Sequence, residues 1–105
     1  MVANRREQLE EFVRKNPGEA FARYGLAMEL IRSGESEAAL EQFRVLHEQH
    51  ADYPAGFQQA GQLLLALGRR EEAKAILQRG IAAAERRGDR HATAEMQGLL
   101  EEASC

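Results

Sequence analysis

The chain overlays on itself when shifted by thirty-four positions, and few folds accommodate that period. The shift sets Leu26-Ala27 on Ala60-Gly61, Leu30 on Leu64, Gly34 on Gly68, Ala39 on Ala73 and Phe43 on Leu77. A unit of this length suits one helical hairpin, which cannot bury its own apolar face and has to stack on a neighbour. The local pattern agrees. Breakers at Asn16-Pro17-Gly18, Ser33-Gly34, Asp52-Tyr53-Pro54, Gly68 and Gly88-Asp89 cut the chain into short segments with apolar residues at helical spacing. Abundant Ala, Glu, Leu, Arg and Gln, with two Pro and no Trp, favour helices over strands.

Six helices are expected. In the first, Leu9, Phe12 and Val13 share one face, Glu10 with Arg14 and Glu11 with Lys15 form i,i+4 pairs, and the end falls near Lys15. Asn16, Pro17 and Glu19 have the order of a capping box that starts the second, which runs to about Ser33 before Gly34 closes it. The third carries Ala39, Phe43, Leu46 and His50 on one stripe. Asp52 and Pro54 announce the fourth, with Phe57, Ala60, Gly61 and Leu64 inward and an end at Gly68. The fifth lines up Ala73, Leu77, Gly80, Ile81 and Ala84. Gly88 and Asp89 then open a sixth, with Ala92, Met96, Leu99 and Ala103 inward. Connections this short make successive helices antiparallel.

An apolar-small pair in a first helix, a large apolar residue one turn on, Gly at the turn, and Ala followed by an aromatic or Leu in a second helix together resemble the tetratricopeptide repeat family. The first repeat carries the pattern as Leu26, Ala27, Leu30, Gly34, Ala39, Phe43 and Leu46; the second carries it as Phe57, Ala60, Gly61, Leu64, Gly68, Ala73 and Leu77. The resemblance implies an all-α fold, a right-handed α-solenoid of antiparallel helix pairs in one domain spanning 1-105. Residues 1-16 would be an N-terminal capping helix, 17-53 the first repeat, 54-87 the second and 88-105 a C-terminal capping helix. Arg23 stands where the family has a bulky aromatic, and Gly80 where it has Ala.

The charges argue against several functions. With 14 Lys and Arg against 17 Asp and Glu, the net charge is -3, and the arginines fall in separated pairs, so no nucleic-acid footprint is expected. Charges at Arg5, Arg6, Glu7, Glu10 and Glu11 break up the apolar run of a secretory signal, and no stretch is apolar enough to span a bilayer. The lone Cys105 allows neither an intrachain disulfide nor a multi-cysteine metal site, and a reducing, cytoplasmic setting is expected. Catalytic chemistry is thin. His47-Glu48-Gln49-His50 spaces its imidazoles by three where the helical zinc motif needs four, so His47 is expected in solvent and His50 partly packed at the helix end. Ser33, Ser36 and Ser104 lack flanking elbow glycines, the carboxylates sit at solvated spacings, and no Gly-rich loop cradles phosphate. No enzyme activity, metal or cofactor is expected.

One surface calls for explanation. Beside the core face of helix two, Phe21, Tyr24, Met28 and Ile31 form a second apolar stripe, and the two together cover roughly 200° of the helix, about twice what one-sided packing uses. The equivalent positions of helix four, Ala55, Gln58, Gln62 and Leu65, are more polar. The resemblance places these residues in a concave groove that holds a protein or peptide. The expected contact residues are Tyr24, Met28, Ile31, Arg32, Gln58, Gln62 and Leu65, with Arg32 the one cation and the ligand only weakly acidic. The alternatives are that the stripe packs within the monomer, or that it pairs two copies in a weak homodimer.

Overall fold

The computed structural model describes residues 4–105, so the first three positions of the capping segment and of the charged N-terminal run lie outside the described residues. Among the described residues there are six α-helices and no strand: α1 (Arg5–Lys15), α2 (Ala20–Arg32), α3 (Ser36–Gln49), α4 (Pro54–Ala66), α5 (Arg70–Arg86) and α6 (Arg90–Ala103). This is the all-α helical repeat expected from the period. No helix among them is long and apolar enough to cross a membrane. Packing separates the chain into two compact units, the first ending at His50 and the second covering Ala51–Cys105.

In the first unit α2 packs against α1 on one side and α3 on the other. Val13, Leu26, Ala27, Leu30, Ala39, Phe43 and Leu46 are buried, the residues that helical spacing singles out. Phe12 departs from its expected place: it is 49% exposed, and of the three residues on that face Val13 is the buried one. Arg14 pairs with Glu11, one turn back, and not with Glu10, which faces Arg6.

The second unit is a three-helix cluster in which α5 packs on α4 and α6, and α6 also touches α4. Phe57, Leu77, Ala83, Ala84, Ala92 and Met96 form its core, with Ile76, Ile81, Leu99 and Leu100 packed around them. Two glycines set how closely the helices approach. A Cβ on Gly61 would lie 2.5 Å from Leu77 Cδ2, and one on Gly80 would lie 2.5 Å from both Met96 Sδ and Phe57 Cβ. The family's usual alanine therefore does not fit at position 80. Two other helical glycines make no such close approach. A Cβ at Gly25 would make an ordinary 3.6 Å contact with Leu9, and nothing lies within 4 Å at Gly98, whose glycine the structure leaves unexplained.

Helices are joined in two ways. At Gly34, Gly68 and Gly88 the backbone turns left-handed, with φ of 77°, 74° and 68°. Each glycine N–H donates to the third carbonyl back, and the next N–H donates to the fifth back, as in Glu35 N to Leu30 O, Arg69 N to Leu64 O and Asp89 N to Ala84 O, each at 2.8–2.9 Å. Gly88 therefore closes α5 and does not open α6; α6 starts from Asp89, whose side chain accepts from Ala92 N. The other joint is non-glycine. Asn16 and His50, thirty-four positions apart, end α1 and α3 with φ, ψ of −132°, 66° and −138°, 78°.

The capping box expected at Asn16, Pro17 and Glu19 does not form. The Asn16 amide donates to Phe12 O and so closes α1, and α2 begins at Ala20 after Glu19, which makes no side-chain cap. The Pro17 carbonyl is occupied instead by Arg23.

Candidate partner-binding surface

Side chains of α1 and α2 that neither helix buries leave a cleft of about 380 Å³ in the first unit. From α1 it is lined by Arg5, Leu9 and Phe12, and from α2 by Phe21, Tyr24, Gly25, Met28, Glu29 and Arg32. These positions recur every three or four residues, so each helix turns one continuous strip towards the gap. Because the helices run antiparallel, Phe12 and Phe21 lie towards one end of the cleft and Arg5 and Arg32 towards the other. Phe21 is 76% exposed.

The arginine end centres on a single carboxylate. Arg5 Nε lies 2.9 Å from Glu29 Oε1, and Arg32 donates to the same oxygen. Glu29 is only 13% exposed, whereas Arg5 and Arg32 are 68% and 71% exposed. Sequence reasoning counted Arg32 as the one cation here. It missed Arg5, which is distant along the chain, and it missed that Glu29 is largely withdrawn from water by the two guanidinium groups.

The remaining expected contact residues are distributed as follows. Tyr24 and Met28 are half-buried and line the cleft; the Tyr24 ring also meets Phe43 of α3 edge-on, with centroids 6.4 Å apart. Ile31 is half-buried on α2 but is not part of the cleft lining. In the second unit Gln58 lines a more polar hollow of about 440 Å³ with Tyr53, Arg87, Asp89 and His91. Gln62 is exposed and Leu65 half-buried on α4.

Two polar residues behave unlike their sequence reading. His47, expected in solvent, is buried and stacks on Phe43 at 6.4 Å and 18°. Its spacing of four from Phe43 carried that signal. His50 Nε2 sits 2.9 Å from Gly18 O, so the two imidazoles of this helix are engaged in different places. Arg23, in the family's aromatic position, is buried and serves as a polar clasp, donating to Gln42 Oε1 at 2.7 Å and Pro17 O at 2.8 Å. Its aliphatic stem supplies bulk in place of a ring. Among the described residues no group of three or more His, Cys, Asp or Glu could hold a metal ion.

The comparisons with known proteins agree with this architecture. No family model matches the chain. A TPR repeat-containing protein of Pseudomonas aeruginosa is 32% identical over 94 residues, which cover 90% of each chain. The solution structure of a tetratricopeptide repeat domain protein from Salinibacter ruber superimposes with a TM-score of 0.78 at 30% identity, covering 83% of this chain and 88% of that one. A protein of Bordetella parapertussis shares the fold, with a TM-score of 0.81 at 24% identity, over 98% of this chain and 90% of its own. The similarity to the Pseudomonas relative spans 90% of the chain, and the chain belongs to the tetratricopeptide repeat family.

Proposed function

We propose that this chain is a non-catalytic interaction module that receives an apolar segment of a partner protein in the α1–α2 cleft. Members of the family are generally protein–protein interaction modules. The observation that carries the reading here is the cleft itself. Its floor of Leu9, Tyr24, Gly25 and Met28 is apolar, and two aromatic rings stand exposed at one end. Exposed aromatic and Met side chains gathered in a concavity are the usual anchors of a protein interface. Met adapts its shape to an incoming side chain, and Tyr adds a hydrogen-bonding tip to its apolar area. The setting we propose is cytoplasmic, where the exposed Cys105 stays a thiol.

A neutral amphipathic peptide of Leu and Gln, titrated into isotope-labelled protein, tests the reading through backbone amide shifts. Perturbations are expected at Leu9, Tyr24 and Met28. They should be lost in the Tyr24→Ala/Met28→Ala double variant while its helical circular dichroism is kept. The same spectra read Gln58, Gln62, Leu65 and Ile31, so their part in binding is measured together with the cleft. Shifts confined to residues outside α1 and α2 would show that the cleft is not the binding surface.

A further inference from the structure

The rim of the cleft says what kind of segment it takes. We infer that the occupant is an amphipathic helix of about three turns that carries a carboxylate at the end lying against Arg5 and Arg32. The inference rests on the reading of the cleft as a binding surface and adds the chemistry of its ligand.

Length comes first. From Phe21 to Arg32 the strip of α2 spans twelve residues, about 16 Å at the helical rise, which matches three turns of a second helix laid alongside. Apolar side chains at i, i+3 or i+4, and i+7 of that helix would fall along the Leu9, Tyr24 and Met28 floor. Both walls are helices, so a helix enters as a ridge between two ridges and leaves no unpaired backbone groups in the apolar gap.

Charge sets its direction. Two guanidinium groups share the single Glu29 carboxylate, which leaves one positive charge in excess at one end of an otherwise uncharged lining. Each guanidinium has five N–H donors, and both groups are mostly exposed, so donors remain to bind a further carboxylate. The opposite end, with Phe12 and Phe21, offers only apolar surface. An incoming helix is thus read at both ends, by a carboxylate at one and by a large apolar side chain at the other. A second copy of this chain fits less well, because a two-fold pairing of the cleft with itself sets the arginine end against either its own copy or the Phe12–Phe21 end, and neither brings it a carboxylate beyond Glu29.

Three labelled peptides that differ at one position test this: the neutral Leu/Gln helix, the same helix with Glu at one end, and the same helix with Lys there, the substituted end being tried at each terminus. Fluorescence anisotropy should show the Glu peptide binding about tenfold tighter than its Lys twin in one orientation, with the difference shrinking at high salt. Arg32→Gln, which leaves Arg5 on Glu29, should shrink the ratio of Glu-peptide to Lys-peptide affinity, the neutral peptide measured on the same variant serving as the reference for both. Equal affinity for the Glu and Lys peptides overturns the charge inference while leaving the cleft a binding surface. If the neutral peptide does not bind at all, the cleft reading itself fails. A concentration-dependent dimer in sedimentation that Phe21→Glu abolishes would instead make a second copy the occupant and overturn the inference.

Discussion

Replacing Gly80 by alanine adds one methyl group, and the structure determines what that methyl meets. The added Cβ would stand 2.5 Å from Met96 Sδ, 2.5 Å from Phe57 Cβ and 3.3 Å from Phe57 Cγ. Met96 is flexible and its sulfur can swing away, but Phe57 Cβ is fixed by the α4 backbone, so α4 and α5 have to separate. Overpacking of this kind typically costs about 1–3 kcal/mol. Alanine's higher helix propensity returns up to about 1 kcal/mol. The net expectation is a loss of about 1–2 kcal/mol, and a fall in Tm on the order of 5–10 °C for a chain of this size. Gly98→Ala is the internal control, because it makes the same change in α6 where nothing lies within 4 Å. It should stabilise by about 0.5–1 kcal/mol through propensity alone. Urea and thermal unfolding followed at 222 nm measure both. If Gly80→Ala is as stable as the parent, close approach of α4 and α5 is not what requires glycine there, and the argument fails.

Three further outcomes are expected. Gly68→Ala forces an L side chain into a left-handed backbone at φ 74°, and should cost about 1–2 kcal/mol in urea unfolding. Arg23→Ala leaves Gln42 Oε1 and Pro17 O without their buried donor and should lower stability by about 1–3 kcal/mol, with amide shifts centred on residues 17 and 42. The exposed carboxylates of Glu11, Glu41 and Glu72, each held chiefly by a hydrogen bond from Arg14, Arg44 or Arg69, titrate below the ordinary value of 4.5. Their contribution is fully present above that value and is lost as pH falls through the lower folded pKa, a loss that carboxyl chemical shifts should follow and that salt should diminish.

Where a signal was repeated or local, the sequence was enough to read the structure. The thirty-four-residue period, Gly34 and Gly68 as helix stops, and the inward faces from Ala39 to Leu46 and from Phe57 to Leu64 need only spacing and turn chemistry, and each appears as expected. Competition between neighbours was harder to read. Asn16 has the composition of a helix start, but its amide is within reach of the Phe12 carbonyl and closes the preceding helix instead. His47 and His50 compete for one face; the spacing of four from Phe43 buries the first, and the second lies beside Gly18. Charge pairing across helices carried no sequence signal at all. Arg5 and Glu29 come together only because α1 folds back on α2, so the arginine end of the candidate site was invisible until that hairpin existed.

The two kinds of joint bear on how such a chain can lengthen. Up to α5 they alternate, non-glycine at Asn16 and His50, glycine at Gly34 and Gly68. At Gly88 the glycine kind recurs where alternation calls for the other, after a helix of 17 residues where its counterpart α3 has 14. A duplicated block of thirty-four residues spliced in after His50 would inherit both joints in sequence. An interior duplication at that point would therefore keep the alternation of the two joints intact.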